Sequence, residues 1–156
     1  MEIATRNKAS ILVVDDDLNE LKALLIGLQL EGFEVCGVSS GEEALDALSG
    51  RHYDLALLDL MMPEMNGLKL ARSIRSAHPD TTAVLMSAYH LSPVQLARAD
   101  TGAVGFVPKP FRFDELVGFI RTKLGRRSLV EADSHRTDER YSKDGLHSPF
   151  DVPKIA

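Results

Sequence analysis

The sequence has one cysteine and no long apolar run. Cys36 cannot form an internal disulfide, and without a second cysteine it cannot belong to a CxxC metal or redox site. We therefore interpret Cys36 as a small buried apolar residue. The N-terminus is polar, and no stretch approaches the run of about 18 apolar residues that a membrane span needs. These absences predict a cytoplasmic location and no membrane insertion.

Positive charge is outnumbered by negative charge. The 18 Lys and Arg residues are outnumbered by 23 Asp and Glu residues, which gives a formal net charge of -5. A broad cationic surface for phosphate backbones is therefore not expected, and we predict no direct contact with nucleic acid. With 156 residues, of which 44% are apolar, the chain is long enough for one domain with an appendage.

Short apolar, β-rich runs alternate with longer segments of helical period between Ser10 and Leu124. This alternation is typical of an α/β fold in which helices cover both faces of a parallel sheet. We predict a doubly wound (βα)5 flavodoxin-like three-layer sandwich with strand order 2-1-3-4-5. The strands are predicted at 11–15, 33–38, 54–59, 83–87 and 104–108.

The ends of the helices have recognisable signals. Asp17 and Glu20 form a variant of the capping box at the start of the first helix, so Asp17 is expected to be a cap rather than a ligand. The fifth helix is predicted to end near Leu124, because the composition changes after Gly125. We interpret 125–156 as a mostly disordered tail or linker without an output domain, although its last stretch, LHSPFDVPKIA, has enough apolar character to dock. Residues 1–9 form an N-terminal extension.

Acidic residues follow two of the predicted strands. VVDDD ends the first strand with Asp15 and Asp16, and LLDLMMP ends the third with Asp59. With strand order 2-1-3-4-5, these two strand ends flank the ligand cleft of an open sheet. Clustered carboxylates repel one another and must hold protons or a cation, and carboxylate ligands suit Mg²⁺, or Mn²⁺ in its place.

Two further polar groups are predicted at the same sheet edge. Ser87 ends the fourth strand in VLMSAY, and Lys109 follows the fifth in FVPKPF. Each residue alone has an ordinary explanation, as a core hydroxyl and a surface base. A hydroxyl and an ammonium beside metal-binding carboxylates, however, form a suitable site for a phosphoryl group.

The motifs VVDDD, LLDLMMPEMNG, LMSAY and GFVPKPF resemble, in order and spacing, the receiver domain of two-component response regulators. The resemblance covers about 10–124, and the tail has no such match. It implies that Asp59 accepts a phosphoryl group from a histidine kinase or a histidine phosphotransfer protein. It also implies that Ser87 and Lys109 contact the phosphoryl oxygens and that the Lys109-Pro110 bond is cis.

The same resemblance implies the metal ligands. Asp16, Asp59 and the backbone carbonyl of Met61 would bind Mg²⁺ directly, and Asp15 would act largely through water. The protein would then be a signalling phosphoacceptor that catalyses only its own phosphorylation and dephosphorylation. Its output would leave through the face of helix 4, strand 5 and helix 5, toward a second copy or a downstream protein.

Three positions vary among receivers. Phe106 stands where the family's switch aromatic, often tyrosine, is found; it is either a switch with Ser87 or simply a core residue. Met61 and Tyr89 lie two residues after Asp59 and Ser87, where side chains flank the path of an attacking water. Because both are bulky, we expect a long-lived phosphoryl group.

Two other functions share parts of this pattern. A Mg²⁺-dependent phosphatase of the haloacid dehalogenase type also uses an aspartyl nucleophile, but that class has a second acid where Met61 stands. A flavodoxin-like cofactor module is a third possibility, although no Ser/Thr/Gly-rich phosphate loop follows the first strand.

Overall fold

In the computed structural model, which describes residues 8–132 and 150–151, strands and helices alternate along the chain. The backbone alone is described for 126–132. The elements are β1 (Ser10–Val14), α1 (Leu18–Leu30), β2 (Glu34–Val38), α2 (Gly41–Gly50), β3 (Leu55–Asp59), α3 (Gly67–Ala77), β4 (Thr82–Ser87), α4 (Pro93–Arg98), β5 (Gly105–Pro108) and α5 (Phe113–Ala132).

The five strands form one parallel sheet in the order β2-β1-β3-β4-β5. The predicted fold and strand order are therefore confirmed. Every residue of β1 and β3 is buried, as expected for central strands covered on both faces. β2 lies at one edge and is only partly covered, so Cys36 is half-buried. The prediction of a buried Cys36 was wrong, because a run of apolar residues in the sequence does not distinguish an edge strand from a central one.

The core lies in two layers, one on each face of the sheet. Ile11 and Val13 point toward α1 and α5, whereas Leu12 and Val14 point toward α2, α3 and α4. Alternate residues of a strand face opposite sides, which explains why these strands are apolar throughout. No helix in the described ranges is long and apolar enough to cross a membrane.

The predicted cap of α1 is confirmed, but the role of Glu20 is not. The Asp17 carboxylate accepts hydrogen bonds from the backbone N–H groups of Asn19 and Glu20. The Glu20 carboxylate, which the capping box would direct back to Asp17, instead accepts a hydrogen bond from Lys109. Glu20 and Lys109 are far apart in sequence, so the pattern of neighbouring residues could not predict this contact.

The fifth helix is longer than predicted and continues past Leu124 to Ala132. Gly125 costs only about 1 kcal/mol relative to alanine in a helix interior, and the following residues include good helix formers. The rest of the predicted tail lies outside the described residues, except for Phe150 and Asp151. Phe150 is buried and packs against Phe119 of α5. The division of the chain at 9 and 124 stays a prediction.

Candidate functional site

Three carboxylates meet at the carboxyl ends of β1 and β3. Asp15 follows β1 directly and Asp59 is the last residue of β3, and these two strands are neighbours in the sheet. One carboxylate oxygen from each of Asp15, Asp16 and Asp59 lies within 4.8 Å of the others. Asp15 and Asp59 are buried, whereas Asp16 is exposed. The predicted shared cleft is thus present.

The two buried acids resist ionisation. Burial raises the pKa of Asp15 to about 6, although the N–H of Asp17, which donates to Asp15 Oδ1 at 2.9 Å, acts in the opposite direction. Burial also raises the pKa of Asp59, against the attraction of Lys109 and the hydrogen bond from Met61 N–H. The positive charge around these carboxylates is therefore too small to offset their desolvation and mutual repulsion.

Lys109 reaches this cleft from the end of β5. Its Nζ atom lies 2.5 Å from Glu20 Oε2, 3.2 Å from Asp15 Oδ2 and 3.8 Å from Asp59 Oδ1. Burial lowers the pKa of Lys109, but the hydrogen bond to Glu20 and the charges of Asp15 and Asp59 outweigh it, so the pKa is raised. The Lys109-Pro110 bond is cis, as expected. Lys109 is therefore a firmly charged cation shared among three acids.

Ser87 is the last residue of β4 and is almost completely buried. Its Oγ atom accepts a hydrogen bond from the backbone N–H of Tyr89 at 2.9 Å, and its carbonyl accepts one from Lys109 N–H at 2.8 Å. The hydroxyl group therefore has a hydrogen-bond partner at the carboxyl ends of the strands, which is the edge of the sheet that also carries the acids. The Tyr89 side chain is exposed.

The loop after Asp59 is held close to the cleft by backbone contacts. Met61 N–H donates to Asp59 Oδ1 at 3.3 Å, and Gly67 N–H donates to the Leu60 carbonyl at 2.9 Å. A Cβ atom on Gly67 would lie 2.5 Å from the Asp59 carbonyl oxygen. Only glycine permits α3 to begin this close to β3. The Met61 side chain is exposed.

Phe106 is part of the buried core on the face of the sheet covered by α2, α3 and α4. It pairs in register with Leu85 of β4, two residues before Ser87. Its position is compatible with both interpretations that the sequence left open, as switch and as core. The residue that sequence reasoning missed is Glu20, the nearest acid to Lys109 Nζ among the three within ion-pair distance.

The donor set in the cleft fits a hard divalent cation. Two buried carboxylates and one exposed carboxylate offer oxygen ligands close to one another, and burial raises the pKa of Asp15 and of Asp59, so a bound cation would favour their charged forms. Oxygen ligands of this kind, completed by water, suit Mg²⁺. Soft metals prefer sulfur or imidazole ligands, which this group of three acids does not contain.

Comparison with known proteins identifies the family. The family model described as the response regulator receiver domain matches residues 11–121. The match covers most of the chain and includes all the acids of the cleft, Ser87 and Lys109. The chain belongs to the response regulator receiver domain family. Phosphorylation and Mg²⁺ binding in the acidic pocket are general features of this family.

Similar curated proteins include transcriptional regulators. The chain is 36% identical over 126 residues to the uncharacterized transcriptional regulatory protein YkoG of Bacillus subtilis, covering 81% of this chain and 55% of that protein. It is 36% identical over 121 residues to the response regulator MprA of Mycobacterium sp. strain KMS, covering 78% of this chain and 53% of that protein. The chain thus spans about half the length of these relatives.

Solved structures share the same architecture. The response regulator TrrA of Thermotoga maritima, in complex with Mg²⁺ and BeF, is 37% identical with a TM-score of 0.67. That comparison covers 74% of this chain and 98% of the other. A CheY-like receiver domain protein of Methanospirillum hungatei is 26% identical with a TM-score of 0.74, covering 79% and 98%.

Proposed function

We propose that this chain is a phosphoacceptor switch in which Asp59 takes a phosphoryl group from a histidine kinase or a histidine phosphotransfer protein. The observation that carries the proposal is the position of Asp59. It ends a central strand with its carboxylate between two further acids and the Lys109 ammonium. A cytoplasmic location and the absence of catalysis on a separate substrate are parts of the same proposal.

The proposed transfer uses Asp59 as a nucleophile. A carboxylate oxygen of Asp59 forms a bond to phosphorus while the phosphorus–nitrogen bond of the donor phosphohistidine breaks. The electron pair of the broken bond stays on the imidazole nitrogen, so the histidine leaves without its phosphoryl group. Phosphoryl transfer needs positioning and charge neutralisation more than covalent assistance. The residues around Asp59 supply both.

The metal ligands in this proposal are Asp16, Asp59 and the backbone carbonyl of Met61, with Asp15 acting through water. Mg²⁺, or Mn²⁺ in its place, supplies positive charge for the phosphoryl oxygens when bound. Asp15 also keeps Lys109 near the reacting group, since its Oδ2 atom accepts a hydrogen bond from Nζ. The Met61 N–H donates to Asp59 and orients its carboxylate.

Lys109 and Ser87 are the proposed partners of the phosphoryl oxygens. Lys109 Nζ lies 3.8 Å from Asp59 Oδ1 and pairs with one oxygen after transfer. The Ser87 hydroxyl, which now accepts from Tyr89 N–H, donates to another. Hydrogen bonds to charged oxygens are stronger than neutral ones, so the new bond shifts the conformational equilibrium near β4.

The signal is proposed to leave through the face of α4, β5 and α5. Phe106 of β5 lies in the core beside β4, where a movement of Ser87 changes its packing. The face would then bind a second copy of the chain or a downstream protein. Direct nucleic-acid binding is not part of this proposal, because a net charge of -5 disfavours attraction to phosphate backbones.

Beryllofluoride, which imitates a bound phosphoryl group, tests the proposal. With Mg²⁺ present, the wild-type chain should bind beryllofluoride and change its elution volume in gel filtration or the chemical shifts of its backbone amides in NMR spectra. Asp59→Asn should show neither change. Asp46→Asn, which alters an acid of α2 instead of the cleft, is the matched control and should respond like wild type. A response by Asp59→Asn as large as that of the control would contradict the proposal.

A further inference from the structure

The outer edge of β5 is occupied by another part of this chain. In the described sheet β5 is an edge strand, with β4 on its inner side. On its outer side the N–H of Phe106 donates to the carbonyl of Phe150 at 2.7 Å. Gly105 and Asp151 form an antiparallel bridge at the same place. Phe150 and Asp151 therefore extend the sheet by a short pairing.

The side chains of these two residues also have specific partners. The Phe150 ring is buried and meets the Phe119 ring of α5 edge to face, with centroids 5.5 Å apart at 87°. Asp151 forms an ion pair with Lys123 one turn further along α5. Lys123 Nζ also lies 5.2 Å from the centre of the Phe119 ring. Backbone pairing, an aromatic contact and a charge pair thus act together.

Gly105 makes this close approach possible. A Cβ atom at that position would lie 2.7 Å from the Phe150 carbonyl oxygen and 2.2 Å from the Phe119 ring. Any other residue would push the incoming backbone or the ring away. The absence of a side chain at Gly105 opens a gap on the edge strand, and the Phe150 backbone fills it.

We propose that the outer edge of β5 and the adjoining face of α5 form a binding site for an extended segment with an aromatic residue followed by an acid. Phe150 and Asp151 of this chain occupy the site. The mode is strand addition, in which the exposed edge fixes the backbone while side-chain contacts select the sequence. Gly105 and Phe106 bind the backbone, Phe119 receives the aromatic ring, and Lys123 pairs with the acid.

One consequence rests on the proposed function. The face of α4, β5 and α5 is the one through which the signal is proposed to leave, and the bound segment covers part of it. A second copy or a downstream protein that pairs along β5 must first displace Phe150 and Asp151. Because the segment belongs to the same chain, it competes at a high effective concentration. It also protects an edge strand that could otherwise pair with other chains.

Hydrogen exchange at two amides of the same region tests occupancy without Mg²⁺ or a phosphoryl donor. Phe106 N–H faces the bound segment, whereas Val104 N–H donates inward to Ala83 of β4 at 2.9 Å. In Phe150→Ala, exchange at Phe106 should accelerate by at least about tenfold while Val104 keeps its wild-type rate. An equal acceleration at both amides, or none at Phe106, would overturn the proposal.

A charge exchange provides a second variant that does not remove the ring. Asp151→Lys alone should accelerate exchange at Phe106, because it places a cation beside Lys123. Combining it with Lys123→Asp should restore the slower rate. If the double variant exchanges as fast as Asp151→Lys, the ion pair does not contribute to binding and this part of the proposed recognition is wrong.

A peptide of residues 147–154, HSPFDVPK, tests whether the site is closed to other segments. The labelled peptide should bind the full-length Phe150→Ala chain at least about tenfold more tightly than the wild-type chain, whose site is filled by its own segment. The same peptide with alanine in place of phenylalanine should bind neither. Equal binding to both chains would overturn the proposal. Loss of phosphorylation at Asp59 would leave these results unchanged, so the two proposals fail separately.

Discussion

Lys109 Nζ lies closer to Glu20 Oε2, at 2.5 Å, than to Asp59 Oδ1, at 3.8 Å. The cation that is proposed to neutralise the phosphoryl group is therefore held by an acid outside the group of three carboxylates in the cleft. Glu20 is half-exposed, whereas the Lys109 side chain is largely buried. In the proposed phosphorylated form, Lys109 must either leave Glu20 or contact both Glu20 and the phosphoryl group.

We predict that Glu20→Gln speeds phosphorylation of Asp59 by acetyl phosphate. The substitution keeps the length of the side chain but removes the competing charge, so Lys109 is freer to pair with the incoming group. Exposed ion pairs contribute up to about 1 kcal/mol, which corresponds to about fivefold in rate. Glu31→Gln breaks a different ion pair near the end of α1, with Arg121, and is the control. An unchanged or slower rate in Glu20→Gln alone would show that Glu20 does not restrain Lys109.

Asp59→Asn should stabilise the protein in the absence of divalent cations at pH 8. Burial raises the pKa of Asp59, which means that its charged form is unfavourable in the folded state. A neutral amide of the same size removes this cost and should raise the free energy of unfolding by about 1 kcal/mol. Urea denaturation measures the difference. Destabilisation by the amide would indicate that the Asp59 charge is already compensated.

Mg²⁺ should stabilise the wild-type chain but not Asp16→Asn. Asp16 is exposed, so its substitution should change the stability of the metal-free protein by less than about 0.5 kcal/mol. A ligand that binds only the folded state raises the free energy of unfolding by about 1.4 kcal/mol when its concentration is ten times its dissociation constant. The melting temperature rises accordingly. Glu42→Gln, in the first turn of α2, should keep the full effect of Mg²⁺. An equal Mg²⁺ effect in Asp16→Asn would remove Asp16 from the ligand set.

The phosphoryl group on Asp59 should be long-lived, and smaller side chains at two positions should shorten its lifetime. The Met61 and Tyr89 side chains are exposed, 52% and 62%, and they follow Asp59 and Ser87 by two residues, where the resemblance to receivers implies that they flank the path of an attacking water. Met61→Ala and Tyr89→Ala should each speed phosphate loss by about threefold or more, corresponding to about 0.7 kcal/mol of the barrier. Leu30→Ala, at an exposed position on α1, should have the wild-type rate. A wild-type lifetime of seconds would contradict the prediction.

Much of this structure follows from local patterns in the sequence. Apolar runs predicted the strands because both faces of the sheet are covered, and the acids after β1 and β3 predicted the cleft because parallel strands end at the same edge. The cap at Asp17 followed from short-range hydrogen bonding, which needs only neighbouring residues.

Contacts between distant parts of the chain could not be predicted in this way. Glu20 and Lys109 are 89 positions apart, and only the fold brings their side chains together. Leu18 shows a related limit, because it continues the apolar period of α1 but is 66% exposed at the start of that helix. The docking of Phe150 on Phe119 was suggested by apolar character alone, without its partner or its register.

The measurement that tests the central claim most directly is the mass of the intact chain after incubation with acetyl phosphate and Mg²⁺. The account predicts that the wild-type chain gains the mass of one phosphoryl group and that fragmentation places it on Asp59. Asp59→Asn, with its sheet amides still protected, should gain none. A wild-type chain that stays unmodified, or an Asp59→Asn chain that gains the same mass, would contradict the account.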